Sequence, residues 1–152
     1  MPRRSHGFTL LELLLVLSIV ALATAGATLS LRDASATRLE REALRLSALL
    51  EAARAQSRTS GAPVIWRALP QGFEFVGLPT RAQAPDALRG PRTWLDPDTR
   101  AEVVQPTGAQ TLLLGPEPLI GAQSLELRLG ERRLRLASDG LGPFAVVNTD
   151  AP

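Results

Sequence analysis

The N-terminal part of the chain is continuously apolar over one long stretch. Residues 8–31 read FTLLELLLVLSIVALATAGATLSL, and Glu12 is the single charged side chain in this stretch. As a helix it would be about 36 Å long at about 1.5 Å per residue, more than the roughly 30 Å of a bilayer's hydrocarbon core. The pattern predicts a transmembrane helix over residues 8–31, with one carboxylate near its start.

An amphipathic pattern over residues 32–60 predicts that this helix continues. From Thr37 to Arg58, apolar residues recur at steps of three and four. They are Leu39, Ala43, Leu46, Leu50 and Ala53, with Leu49 widening the stripe. The charged positions are interpreted as a solvated face, with Arg38–Glu42 and Glu42–Arg45 at the spacing of helical ion pairs. This face comprises Arg38, Arg41, Glu42, Arg45, Glu51, Arg54 and Arg58. The run from Ser60 to Pro63 is expected to end the helix.

Residues 61–152 carry the shorter, alternating periods of β-strands. The predicted strands are Val64–Leu69, Gly72–Leu78, a short strand at Ala101–Val104, Thr111–Leu114, Ser124–Leu129, a strand through Leu134 and Leu136, and Phe144–Val147. Pro79–Arg92 is interpreted as a loop, and Trp66, Phe73 and Phe75 as core residues. The sequence predicts an α+β fold in which the second half of a long helix packs on a mainly antiparallel sheet.

Composition removes several classes of chemistry from this β-rich head. There is no cysteine, which excludes disulfides, thiolate metal sites and a cysteine nucleophile. The single histidine, His6, lies near the N-terminus, too far from the head to complete a Ser-His-Asp triad. Asp96, Asp98 and Glu102 have an acidic spacing but lack the ligand pattern of a calcium loop, so we expect turn residues. We predict no enzyme activity, metal or cofactor.

Glu12 is expensive in a membrane helix, because a carboxylate at the bilayer centre costs about 2.5 to 3.5 kcal/mol on insertion scales. Cleavage between Gly7 and Phe8 would create an α-amino group on Phe8, one helical turn from Glu12 and about 6 Å away along the axis. Between packed chains, the carboxylate of one subunit could then pair with the amine of its neighbour and fix their axial offset. The alternative is a glutamate that snorkels to the membrane interface.

The run from Gly7 to Glu12, behind a short basic leader, resembles the leader of type IV pilins and type II secretion pseudopilins. The resemblance implies that a prepilin peptidase cuts after Gly7 and methylates Phe8, and that Glu12 is the assembly glutamate. It also implies a pilin-like fold on a single-pass inner-membrane helix, with the head in the periplasm.

A looser resemblance concerns the head. Leu49–Arg58 with Gly61 and Val64, and the ending Leu134–Gly140 with Pro143 and Phe144, are similar to the H-type minor pseudopilins of the GspH/FimT family. This implies a noncatalytic subunit of the type II secretion pseudopilus, whose partners are other minor pseudopilins, the major pseudopilin and an inner-membrane assembly platform.

Two alternatives stay open at this point. The first is a FimT-like minor pilin of type IV pili, involved in pilus assembly or DNA uptake. Nucleic acid is not favoured, because glutamates interleave with the arginines of the amphipathic segment and aromatic residues are missing there. The second is a secreted enzyme with an ordinary signal peptide, cleaved after the last A-x-A site so that it begins at Thr28.

Overall fold

A computed structural model describes residues 10–79 and 85–147, except for the side chains of residues 25–33. The chain divides into two compact units, Met1–Ala34 and Ser35–Pro152. The predicted leader, residues 1–7, and Phe8 lie outside the described residues.

One helix, α1, runs from Leu10 to Ser60 and confirms the predicted continuous helix. It ends where the sequence indicated. Gly61 has a left-handed φ of 66°, which glycine adopts without steric cost, and the Ser57 hydroxyl donates to the Ala62 carbonyl at 2.8 Å. No helix among the described residues combines the length and hydropathy expected of a membrane span. The span predicted over residues 8–31 includes residues outside that set.

Eight strands follow the helix. They are β1 (Val64–Leu69), β2 (Gly72–Val76), β3 (Arg92–Thr93), β4 (Arg100–Gln105), β5 (Thr111–Leu114), β6 (Gln123–Leu129), β7 (Arg132–Ser138) and β8 (Ala145–Val147), with a short 3-10 turn at Asp86–Leu88 before β3. The predicted strands are confirmed to within two residues at each end. The short strand β3 was not predicted, and it begins at the last residue of the expected loop.

The strands form two sheets, in the orders β3-β2-β1-β5 and β4-β6-β7-β8. Every neighbouring pair is antiparallel. Hairpins β1–β2 and β6–β7 have the tight turns that Pro70–Gln71 and Gly130–Glu131 indicated. The α+β, pilin-like architecture is thus confirmed, with two sheets in the head.

The core lies within the second unit and contains the predicted leucine stripe of α1. Trp66 and Phe73 are fully buried and Phe75 is nearly so, as predicted. The Phe73 ring packs between Trp66 and Trp94, with centroid distances of 6.3 and 4.9 Å. On β6, Leu125, Leu127 and Leu129 are buried as the alternation predicted.

The predicted solvated face of α1 is wrong at two positions. Glu42 and Arg54 are only 1% and 2% exposed. Each lies among the buried stripe residues, because position 42 is three residues after Leu39 and position 54 is four after Leu50. The ion pair Glu42–Arg45 forms at 3.1 Å, but Arg38 pairs with Asp96 rather than with Glu42.

Candidate assembly site

In the second unit, the buried side chain of Arg54 joins α1 to two loops. Its guanidinium donates hydrogen bonds to the carbonyl oxygens of Gly140 (2.6 Å), Gly142 (3.1 Å) and Pro118 (3.2 Å). A planar guanidinium can satisfy several carbonyls at once, which a lysine ammonium on a flexible stem does less well. Arg54 therefore fixes the loop between β7 and β8 against the helix.

The loop between β7 and β8 is also stabilised by hydrogen bonds within the loop. The Asp139 carboxylate accepts the backbone N–H groups of Gly142 at 2.7 Å and Leu141 at 2.9 Å. These bonds stabilise the charged form and lower the pKa of Asp139 below its usual 3.8, with a smaller contribution from the Arg54 charge. Gly140 has φ 92°, and a Cβ there would overlap the Ile120 carbonyl oxygen. Only glycine fits this turn without strain.

Two further α1 residues bind the backbone of Phe144, immediately before β8. The Glu51 carboxylate accepts the Phe144 N–H at 3.0 Å, and the Ser47 hydroxyl donates to the Phe144 carbonyl. Ser47 and Glu51 are four residues apart, hence on one helix face. Together they satisfy both backbone groups of a residue whose ring is buried, and so fix where β8 begins.

Glu42 likewise binds the backbone of a distant segment, the one that precedes β4. Its carboxylate accepts the Leu95 N–H at 2.6 Å and pairs with Arg45, whose guanidinium also donates to the Thr93 carbonyl at 3.2 Å. Arg45 lies 5.7 Å from the centroid of the Phe73 ring, within cation–π range. The buried charge of Glu42 thus has both a cation and a backbone donor, as buried charges require.

The acidic turn at Asp96 and Asp98 is explained by local hydrogen bonds. One Asp96 oxygen accepts the Asp98 N–H at 3.1 Å, and the other pairs with Arg38 at 3.0 Å. Across residues 10–79 and 85–147, no three acidic or histidine side chains cluster in a way that could hold a metal ion.

In the first unit, Glu12 lies in the first turn of α1. Its neighbours Leu11 and Leu13 are 76% and 54% exposed, and apolar side chains continue along α1 to Leu22. Glu12 is the single charged residue between positions 10 and 24. A contiguous exposed apolar surface of this kind marks a site of association with membrane or protein.

The hydroxyl groups of this segment are satisfied within the helix. Ser18 donates to the Leu14 carbonyl at 2.8 Å, and Thr24 to the carbonyls of Val20 and Ala21, each at 2.9 Å. Such back-bonding allows a hydroxyl to enter an apolar environment without an unsatisfied donor. Glu12 carries the single charge of this apolar segment, so its carboxylate is the group whose transfer into an apolar environment costs most.

Of the residues that the sequence analysis named as sites, the structure places Glu12 alone. Gly7 and Phe8 lie outside the described residues, so the pairing of Glu12 with the Phe8 amine stays a prediction. The contacts that Glu42, Glu51 and Arg54 make with distant backbone groups were missed, although helical phase puts Glu42 and Arg54 beside the buried stripe.

A comparison with known protein families identifies a sequence motif in the first unit. Residues 2–28 match the family model described as the prokaryotic N-terminal methylation motif. No curated protein and no solved structure matches the chain. The match includes Gly7, Phe8 and Glu12, so the type IV pilin-like leader is present.

This leader indicates a type IV pilin-like or pseudopilin protein with a structural role. The motif implies processing by a prepilin peptidase, anchoring to a membrane through the N-terminal helix, and assembly with other pilin-like subunits.

Proposed function

We propose that this protein is a noncatalytic minor subunit of a type II secretion pseudopilus. It assembles at the bacterial inner membrane with other minor pseudopilins and the major pseudopilin, and helps to export folded proteins across the outer membrane. The observation that carries the proposal is Glu12 in the first turn of an exposed leucine-rich helix, within a match to the methylation motif.

The chemistry of assembly follows from that placement. Removal of residues 1–7 would leave Phe8 with a terminal amine, and a neighbouring subunit's Glu12 would neutralise it. In an apolar surrounding, this pairing is favourable only when the geometry is good, because both charges lose their hydration. The pair therefore selects one axial offset between neighbouring helices, as a buried polar residue selects register in a coiled coil.

The contacts in the head support assignment to the H-type subunits. The two stretches that resemble them, Leu49–Arg58 and Leu134–Gly140 with Pro143 and Phe144, are joined through Arg54 to Gly140 and through Glu51 to Phe144. The resembling residues thus make one contact network rather than two unrelated similarities.

Processing is tested first, with the full chain co-expressed with a prepilin peptidase. Mass spectrometry is expected to show a chain that begins at N-methylated Phe8. A peptidase-free strain is the control, and Gly7→Leu should leave the leader attached. A mature chain that starts at Thr28 would instead identify an ordinary signal peptide and refute the proposal.

The secretion role is tested separately in the native cell. Deletion of this gene is expected to stop export of folded proteins while leaving type IV pili and DNA uptake intact, and the wild-type gene should restore export. Loss of pili or DNA uptake with normal export would refute the secretion role and identify the FimT-like minor pilin, while leaving the processing result valid.

A further inference from the structure

Three arginines form a row across the outer face of the sheet β4-β6-β7-β8. Arg100 on β4 lies directly opposite Arg128 on β6, and Arg128 lies directly opposite Arg133 on β7. All three are exposed, because they alternate with the core-facing residues of the same strands. We call these three residues the arginine row.

The charge of the arginine row is poorly compensated by the part of the chain that the structure describes. Within that part, Arg100 and Arg128 form no ion pair. Arg100 donates to the carbonyls of Pro97 at 2.7 Å and Thr99 at 2.8 Å, and Arg133 approaches Glu126 only to 4.0 Å. Like charges directly opposite on neighbouring strands destabilise a sheet. An anion bound from outside would remove that cost.

The next row along the strands holds two carboxylates and one arginine. Glu102 lies opposite Glu126, and Arg135 stands at the far side of Glu126 on β7. These carboxylates are two residues, or about 6.7 Å, from the arginine row. A polymer of uniform negative charge that crosses the arginines would also meet these glutamates. A protein partner can place acidic side chains against the arginine row and basic side chains against the neighbouring glutamates. The pattern therefore favours a protein partner over nucleic acid.

The width of the arginine row identifies the shape of that surface. Two strand spacings place Arg100 and Arg133 about 9.6 Å apart across the sheet. On an α-helix, side chains at i, i+4 and i+7 share a face and extend over about 10.5 Å. We propose that the arginine row is the docking surface for an α-helix of a partner protein. That helix lies across the strands and presents three carboxylates at this spacing.

The arginine row lies on the head, so its docking role is the same in a secretion filament and in a pilus. Its test uses the full chain in nonionic detergent micelles and a fluorescent alanine-based helical peptide of about 20 residues. The peptide carries glutamates at i, i+4 and i+7, and a control peptide carries glutamines there.

Fluorescence anisotropy is expected to show salt-sensitive binding of the glutamate peptide and weak binding of the glutamine peptide. Arg128→Gln, at the centre of the row, should weaken binding by about tenfold, as expected for loss of a charge-assisted pair. Arg100→Gln is a second variant. Arg67→Gln is the matched control, because Arg67 is also an arginine on a strand surface but pairs with Glu74 within the chain.

Thermal unfolding of the unbound protein supplies an independent readout. Arg128→Gln removes two like-charge contacts and should raise Tm by about 1 to 4 °C. Absence of binding to the glutamate peptide, equal binding by wild type and Arg128→Gln, or a lower Tm in that variant would each overturn the proposal. So would tighter, Arg128-dependent binding of duplex DNA, which would assign the row to nucleic acid.

Discussion

The side-chain amide of Gln123 forms two hydrogen bonds with the backbone of Leu113, both 2.8 Å long. Its Oε1 accepts the Leu113 N–H and its Nε2 donates to the Leu113 carbonyl. Leu113 is on β5, the last strand of the sheet β3-β2-β1-β5, whereas Gln123 begins β6 of the other sheet. One side chain thus replaces a neighbouring strand at an otherwise open edge and links the two sheets.

Gln123→Leu is expected to destabilise the head. The substitution leaves both backbone groups of Leu113 without their partner, which lowers the free energy of unfolding by about 1 to 3 kcal/mol. Urea unfolding of the full chain in detergent micelles measures the change. Gln105→Leu, at an exposed position of β4, is the control and should unfold near the wild-type midpoint. An unchanged midpoint for Gln123→Leu would show that the two hydrogen bonds between Gln123 and Leu113 do not stabilise the head.

Arg54→Met should have a larger effect. The methionine fills part of the volume but removes the guanidinium hydrogen bonds of three carbonyls, of which Gly142 still accepts the Ser138 hydroxyl and Gly140 the Ile120 N–H. We expect a loss of about 2 to 5 kcal/mol in the free energy of unfolding, because several hydrogen bonds to a charged group are lost together. Arg54→Lys should recover only part of it, since one ammonium cannot reproduce the guanidinium geometry.

The same change at Arg58, which is exposed one turn later on α1, is the matched control. Hydrogen exchange adds a local measurement, because loss of the Arg54 contacts should increase exchange at Gly140 and Gly142. Equal unfolding midpoints for Arg54→Met and Arg58→Met would contradict the role given to Arg54.

Asp139 should contribute a specific pH dependence. Its pKa is lowered in the folded chain by the N–H donors of Gly142 and Leu141, so its charged form favours folding. The contribution is present above the unfolded pKa, near 3.8, and is lost as the pH falls through the lower folded pKa.

We therefore expect wild type and Asp139→Asn to differ in Tm by a constant amount near neutral pH, and the difference to shrink as the pH falls below 3.8. Thermal scans over a pH series measure it. Asp98→Asn, which removes a carboxyl group from another exposed turn, is the control. A Tm difference that grows on acidification would reverse the assigned sign.

Glu12→Leu should leave membrane insertion and processing at Phe8 intact but reduce incorporation into filaments. Loss of one partner of a buried ion pair costs roughly 3 kcal/mol, which corresponds to about a hundredfold in association. Crosslinking between neighbouring subunits measures incorporation.

The matched control moves the carboxylate without changing composition. The double variant Glu12→Leu, Leu13→Glu keeps the charge and the hydropathy but turns the carboxylate by about 100° around the helix axis. It should assemble as poorly as Glu12→Leu. Normal crosslinking in either variant would show that the position of the carboxylate is not what fixes the assembly.

The spacing of apolar residues predicted the helix and most strands correctly, but it did not predict the polar contacts between them. The leucine stripe of α1 and the alternation of β6 depend on spacing within one element, and both were predicted correctly. The partners of Arg54 and Glu51 lie 64 to 93 residues away along the chain. No local pattern specifies such pairs. The phase of Arg54, four residues after Leu50, was the available signal that it faces the core.

The division into two sheets was also beyond a local interpretation. β5 pairs with β1 across more than forty residues, and the sequence gives no indication that Gln123 closes the edge which that pairing leaves. At the assembly site, the physical argument did not decide whether Glu12 pairs with a neighbouring subunit or snorkels to the membrane interface. The match to the methylation motif favours the pilin-like one.

The contacts between α1 and Phe144 have a consequence for the order of folding. Ser47 and Phe144 are separated by 97 positions and Glu51 and Phe144 by 93, so these two helix residues acquire their shared partner only after nearly the whole head has been synthesised. Contacts of such long range raise contact order and slow folding. During translation the helix is made first, and its bonds to Phe144 form only when the segment before the last strand has been made. Until then the incompletely folded head exposes apolar surface, to which a chaperone or the membrane could bind.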